Sequence, residues 1–161
     1  HDVLTGKVHQ GDHQMREKLN QVLKIVESDP VLRERVHYIQ DYDEELGFAL
    51  AVGSDVAINV PIVGLEACGT SFMKDIANLK ILISTADGGV ADLSPPPCLE
   101  VSGANYEAEV KSLYEQMARA GRILKNDGWH ETQVGRQLAG YIPVISGARM
   151  MKDYLKLIFG N

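Results

Sequence analysis

Cysteine is scarce in this chain of 161 residues: Cys68 and Cys98 are the two, and they have none of the paired spacing of a metal site. A reducing, cytoplasmic setting is therefore the default. Positive charge is also in deficit, with 16 Lys and Arg against 22 Asp and Glu, a formal net charge of −6 and no basic run. That balance argues against nucleic acid as a partner. No apolar stretch approaches the roughly 18 residues of a membrane span, and no secretory signal opens the sequence. Internal repeats and low-complexity tracts are missing as well. What is left is the composition of an ordinary globular protein, about one domain in length.

Periodicity alternates between strand and helix, as in an α/β domain. Val3 to Val8 reads as a short strand. Asp12 caps a helix with Met15, Leu19, Val22, Leu23 and Val26 on its apolar face, and Asp29-Pro30 ends it. Val36 to Ile39 is a second strand, and Glu44 to Val52 a short helix stopped by Gly53 as a C-terminal cap. Val56 to Val60 and Lys80 to Thr85 are aliphatic runs suited to a sheet covered on both faces. Ser94 to Pro97 is a breaker cluster, after which the chain reads as helices over Glu107 to Ala120, His130 to Tyr141 and Ala148 to Ile158. Met151, Tyr154, Leu155 and Ile158 line one face of the last. This divides residues 1–161 into an α/β core over 1–93 and a mainly helical segment over 94–161.

The stretch Glu66 to Lys74, EACGTSFMK, concentrates the chemistry. It lies between the strand Val56 to Val60 and a helix over Phe72 to Asn78, so its backbone N–H groups face outward from a helix start, a favourable place for phosphate. Gly69 lets the backbone come close to a ligand, Thr70 and Ser71 offer hydroxyls, and Lys74 follows Ser71 by one turn. Each residue has a plainer reading. Lys74 and Glu66 taken alone are surface charges, Gly69-Thr70-Ser71 is a loop and helix cap, and Cys68 is a small packing residue. His9, Asp12 and His13 have close spacing but read as surface groups, Asp41-Tyr42-Asp43 as a turn and cap, and Met150, Met151 and Trp129 as core. No metal site is expected.

The chain resembles the C-terminal part of the α-glucan (glycogen or maltodextrin) phosphorylases, whose lysine signature runs approximately E-A-S-G-T-S-G-M-K. Glu66, Ala67, Gly69, Thr70, Ser71, Met73 and Lys74 match in place, and Asn78 and Asp87-Gly88 continue the register. Gly6-Lys7 with His9, then Asp41-Tyr42-Asp43 with Gly53, Asp55, Asn59 and Pro61, resemble upstream family runs. Ser146 to Tyr154 resembles the last family helix. The resemblance implies a Rossmann-like C-terminal half of a two-domain GT-B-type glycosyltransferase, with a helical C-terminal segment. It also implies that the half's first central strand and helix lie before Val3, so that the N-terminal part of the same enzyme, a homodimer or altered packing covers the gap.

The same resemblance assigns roles. Lys74 holds pyridoxal phosphate through its amine, Gly69, Thr70 and Ser71 hold the cofactor phosphate, and Glu66 with Cys68 and Gly69 binds glucose hydroxyls. Glu66 and Lys74 are the catalytic residues. The reaction is transfer of glucose from an α-1,4-glucan to inorganic phosphate, giving glucose 1-phosphate with retention. Close approach of two phosphates requires fixed dipoles and cations to offset their repulsion. The family's basic cluster is not in this sequence, so the chain alone is expected to be inactive. Cys68 replaces a serine, which a role through the backbone tolerates. Ile62-Val63-Gly64 stands where many bacterial relatives are basic. Phe72 and Leu79 replace smaller residues and are expected to narrow the cofactor site or move its helix, while Gly89 adds little information. The rival readings are a nucleotide-sugar-dependent retaining glycosyltransferase, glycogen synthase-like, which needs no amine at Lys74, and a noncatalytic phosphorylase-like binding or assembly module.

Overall fold

A computed structural model describes residues 1–160, apart from the side chains of Asp127, Trp129 and His130. The expectation that Trp129 is a core residue therefore lies outside the described residues. The chain forms two compact units, His1–Leu50 and Ala51–Asn161.

In the first unit, β1 (Asp2–Thr5) pairs in parallel with β2 (Val36–Ile39), Asp2 opposite Val36 and Thr5 opposite Ile39. The connection is helical. Asp12 caps α1 (His13–Ser28) by accepting from Met15 N at 2.8 Å, the cap its sequence announces. Asp29 both ends that helix and caps α2 (Pro30–Arg35), accepting from Val31 N and Leu32 N, with Pro30 in the first turn where its missing N–H is harmless. Asp41 takes φ 58°, and Asp43 Oδ1 accepts from Leu46 N at 2.8 Å at the start of α3 (Glu44–Gly53). The Asp41-Tyr42-Asp43 run is thus a turn and cap. His9 Nδ1 accepts from Gly11 N. No residue of α1, α2 or α3 is fully buried.

The second unit holds the core. Its sheet is parallel, in the order β3 (Val56–Asn59), β4 (Ile81–Ser84), β5 (Leu99–Glu100). Every residue of β4 is buried, and its side chains alternate between two layers. Ile81 and Ile83 pack with Leu99, Val101, Ala120 and Ile123, the last two from α6 (Tyr106–Leu124). Leu82 packs on the opposite face with Phe72 and Ile76 of α4 (Ser71–Ala77) and Val90 of α5 (Gly88–Ala91). Burying each large aliphatic side chain contributes about 1.5–3 kcal/mol. Because Phe72 and Ile76 are one turn apart and point into the core, Lys74, halfway between them, is left exposed.

The α/β class with parallel strands and a helical C-terminal segment is what the sequence suggests, but particular elements differ. The strands form two sheets, of two and three strands, and among the described residues none joins them. β5 and α5 lie where sequence reading finds only breakers and glycines. The helix expected over His130 to Tyr141 is α7 (Asp127–Arg136) followed by a π-helical turn over Gln137–Tyr141 and α8 (Ile142–Ile145). Gly53 has no left-handed φ, so it is no cap of that kind. Ser146 caps α9 (Gly147–Phe159), yet Met150 and Met151, expected in the core, are 43% and 52% exposed. No helix among the described residues is long and apolar enough to cross a membrane.

Lys80, just before β4, is buried with Asp75 of α4, Nζ to Oδ1 3.0 Å, at side-chain exposures of 5% and 16%. Gln137 Nε2 donates to the Lys80 carbonyl from the π-helical turn. Breaking a buried pair by removing one partner typically costs about 3–5 kcal/mol, whereas replacing both charges by apolar groups is often neutral. Asp75→Ala is therefore expected to cost several times more stability than the double variant Asp75→Leu/Lys80→Met in urea unfolding. Equal losses would mean that the pair contributes only packing.

Candidate functional site

β3 ends at Asn59, and the chain then loops to α4, whose first residue is Ser71. A segment following β4 shapes this loop. Thr85 Oγ1 donates to the Pro61 carbonyl at 2.8 Å. The Asp87 carboxylate accepts from Gly64 N at 2.9 Å and from Glu66 N at 3.0 Å through the same oxygen, Oδ2. Gly89 N donates to the Cys68 carbonyl at 3.0 Å. Two neighbouring glycines make this approach feasible. A Cβ on Gly88, which has φ +51°, would lie 2.9 Å from the Glu66 carbonyl oxygen and 3.2 Å from Cys68 N. On Gly89 it would lie 2.8 Å from Phe72 Cε1 and 2.9 Å from the Cys68 carbonyl oxygen.

The expected site residues fall in one junction of the second unit. Glu66 is partly buried, and its carboxylate lies over Gly69, whose φ is +57°; a Cβ there would be 3.1 Å from Glu66 Cδ. Thr70 occupies the cap position of α4 without a side-chain cap bond, leaving its hydroxyl uncommitted to that helix. Ser71 and Lys74 are exposed on α4, and Cys68 is an exposed free thiol. Phe72 is turned into the core at 1% exposure, so it does not narrow the outer side of the loop. Its ring occupies the space that Gly89 vacates, which makes Gly89 an informative residue after all.

Asp87 titrates below its ordinary value of 3.8, chiefly because the Glu66 N–H stabilises its charged form; partial burial opposes this, and the amides of Gly88, Gly64 and Leu65 reinforce it. A lowered folded-state pKa gives stability that is present above the ordinary value and lost as pH falls through the folded one. Cys98, half-buried beside the Ser84 carbonyl, is pushed up to about 11, first by burial and then by Glu100.

A family model described as carbohydrate phosphorylase matches residues 3–125. The chain belongs to that family. Glycogen phosphorylase of Mycobacterium tuberculosis (strain CDC 1551 / Oshkosh) is 28% identical over 172 residues, covering 96% of this chain and 20% of that protein. Glycogen phosphorylase of Aquifex aeolicus (strain VF5) is 35% identical over 86 residues, covering 53% of this chain and 12% of that protein. The chain spans about one fifth of the mycobacterial relative's length. Among solved structures, a UDP-forming α,α-trehalose-phosphate synthase from Burkholderia xenovorans is 17% identical with a TM-score of 0.48, covering 86% of this chain and 36% of that one.

In this phosphorylase-family chain, sequence reading picks out the loop itself and undervalues the strand-end segment beneath it. The available signal was Asp87-Gly88-Gly89, separated by two residues from the aliphatic strand β4, a place where paired glycines mark close backbone approach. Gly89→Ala is expected to destabilise the chain by about 1–3 kcal/mol, the usual cost of overpacking, and a thermal melt would measure it. An unchanged melting temperature would show that Phe72 yields freely. The two thiols are expected to differ too. At pH 8 a thiol of pKa about 11 is ionised to roughly one part in a thousand, so iodoacetamide should label exposed Cys68 well before Cys98, with Cys98 catching up as pH rises. Equal rates at pH 8 would contradict the buried environment of Cys98.

Proposed function

We propose that this chain is part of an α-glucan phosphorylase: an enzyme that transfers the terminal glucose of an α-1,4-glucan to inorganic phosphate, giving glucose 1-phosphate with retention. The observation carrying this reading is that Glu66 to Lys74 forms a single loop-to-helix junction beyond the carboxyl end of β3, inside the span matched by the family. Ligands of open α/β sheets bind beyond the strand ends, where loops turn polar groups toward a shared cleft. Both compact units are read as parts of one partial C-terminal domain, working in the cytoplasm with the N-terminal part of the same enzyme.

The chain's residues fit pyridoxal phosphate in their donor chemistry. Lys74 offers an exposed amine, Gly69 a left-handed turn, and Thr70 and Ser71 exposed hydroxyls outside the core clusters. Lys74 would hold the cofactor, the backbone of Gly69 and Ser71 with the Thr70 hydroxyl would hold its phosphate, and Glu66 would accept hydrogen bonds from glucose hydroxyls beside the backbone of Cys68 and Gly69. When bound, the cofactor supplies a phosphate that exchanges a proton with the substrate phosphate. In the transfer, the glycosidic C1–O bond breaks, a C1–O bond to phosphate forms, and the departing glucan oxygen takes the proton that phosphate gives up. Lys74 is the one cation between Val60 and Lys74, too little to offset two phosphates, so the chain alone is expected to be inactive.

The test uses the longest natural polypeptide carrying this segment, incubated with maltodextrin and phosphate. Glucose 1-phosphate is the expected product; release that depends on a nucleotide sugar would favour the glycogen synthase-like reading instead. Borohydride should trap a pyridoxyl group on Lys74, found by mass spectrometry, and Lys74→Ala should abolish it. An adduct persisting in the variant would sink the assignment of Lys74, and neither product nor adduct in the wild type would leave a noncatalytic module.

A further inference from the structure

The Asp87 carboxylate has no reacting partner in the proposed chemistry, yet backbone amides of the loop converge on it. One of its oxygens takes the amides of both Gly64 and Glu66, at 2.9 and 3.0 Å, from a loop 21 to 23 residues away in sequence. Amides of a loop between strand and helix otherwise turn to water, and a charged acceptor binds them about twice as strongly as a neutral one. Gly88 and Gly89, next along the chain, press their bare Cα atoms against the Glu66 carbonyl and Cys68, and Gly89 N closes a third bond onto the Cys68 carbonyl. The amides that the Asp87 carboxylate itself holds are those of Gly64 and Glu66, at the sugar end of the loop. Lys74 is instead placed by Phe72 and Ile76 anchoring α4 in the core, where Gly89 and Val90 pack but the Asp87 side chain makes no hydrogen bond to α4 among the described residues.

We infer that Asp87, backed by Gly88 and Gly89, is the positioning residue for Glu66. It presets the sugar-binding end of the loop while leaving the lysine end to α4. The inference rests on the phosphorylase reading for its ligand, but its structural half stands without it. The consequence is a division of labour: loss of the Asp87 charge loosens glucan binding and spares attachment at Lys74. A carboxylate that merely stabilised the fold would affect both ends alike.

The experiment has two arms. In the 161-residue chain, Asp87→Asn keeps the side chain's shape and removes its charge; amide hydrogen exchange at Gly64 and Glu66 is expected to quicken about tenfold or more, with the amides of β4 unchanged as internal controls. In the longest natural polypeptide, the same variant is expected to raise KM for maltodextrin about tenfold while the borohydride-trapped adduct at Lys74 keeps its wild-type yield. Unchanged exchange at Gly64 and Glu66 would overturn the inference, and so would equal loss of protection in β4 or loss of the adduct. Asp87→Glu, which keeps the charge but displaces the carboxylate, should fail to restore Gly64 and Glu66 protection, guarding against a purely electrostatic effect on the fold. If the wild-type polypeptide takes neither maltodextrin nor cofactor, the phosphorylase reading fails, while the exchange arm still decides the role of Asp87.

Discussion

Burial of β4 on both faces is the constraint that orders everything near the candidate site. A parallel strand without a solvent face must be covered by helices on each side, and the alternation Ile81, Leu82, Ile83 supplies a hydrophobic layer for each. One layer takes Ala120 and Ile123 of α6, and the other takes Phe72 and Ile76 of α4. Docking α4 by those two residues determines which of its side chains face outward. Lys74 is exposed because its neighbours two positions away on either side are not. The same strand delivers Thr85 and Asp87 to its carboxyl end, where they meet the loop leaving the parallel neighbour β3.

A second constraint is backbone proximity. Bringing a strand-end turn close enough for Gly89 N to reach the Cys68 carbonyl leaves no volume for a Cβ at Gly88 or Gly89. The family pattern has a smaller residue where this chain has Phe72. Here the aromatic ring is absorbed inward, against Gly89, so the substitution alters the core under α4 and leaves the outward surface of the loop to Glu66, Gly69, Thr70 and Ser71. Two positions that look independent in the sequence, Phe72 and Gly89, share one volume.

What was legible in the sequence was local. Asp12 and Asp43 cap the helices they precede, and the Asp29-Pro30 pair ends one helix, because a cap needs only a side-chain oxygen and the next turn of backbone. Strands with long aliphatic runs were legible for a similar reason. β5 was not: its two residues, Leu99 and Glu100, are extended only because β4 offers them a ladder, and nothing in a pair so short distinguishes strand from loop. The π-helical turn at Gln137–Tyr141 was hidden as well, since it puts the Gln137 amide on the Lys80 carbonyl, a partner 57 residues away. Periodicity assigns α9 a face of Met151, Tyr154, Leu155 and Ile158, but it identifies a face without saying what covers it, and all four of these residues, like Met150, are exposed.

Leu79 shows how a departure from a family pattern can be reconciled with geometry. The family has glycine after the asparagine matched by Asn78, and the structure gives the reason: residue 79 closes α4 in the left-handed region, at φ 61°. A side chain there costs about 1–2 kcal/mol through contact of Cβ with the following carbonyl. The turn is over-determined, however. Leu79 N donates to the Ile76 carbonyl, Asn78 N and Nδ2 both donate to the Lys74 carbonyl, and Lys80 N returns to the Asp75 carbonyl. Lys80 then joins Asp75 through their side chains. With four bonds and an ion pair closing one turn, the strain at Leu79 is held without unwinding α4, and Lys74 keeps its place one turn after Ser71. The substitution therefore changes the stability of the helix end and not the position of the amine, which is why the family's glycine is dispensable here while those at Gly88 and Gly89, bounded by backbone atoms, are not.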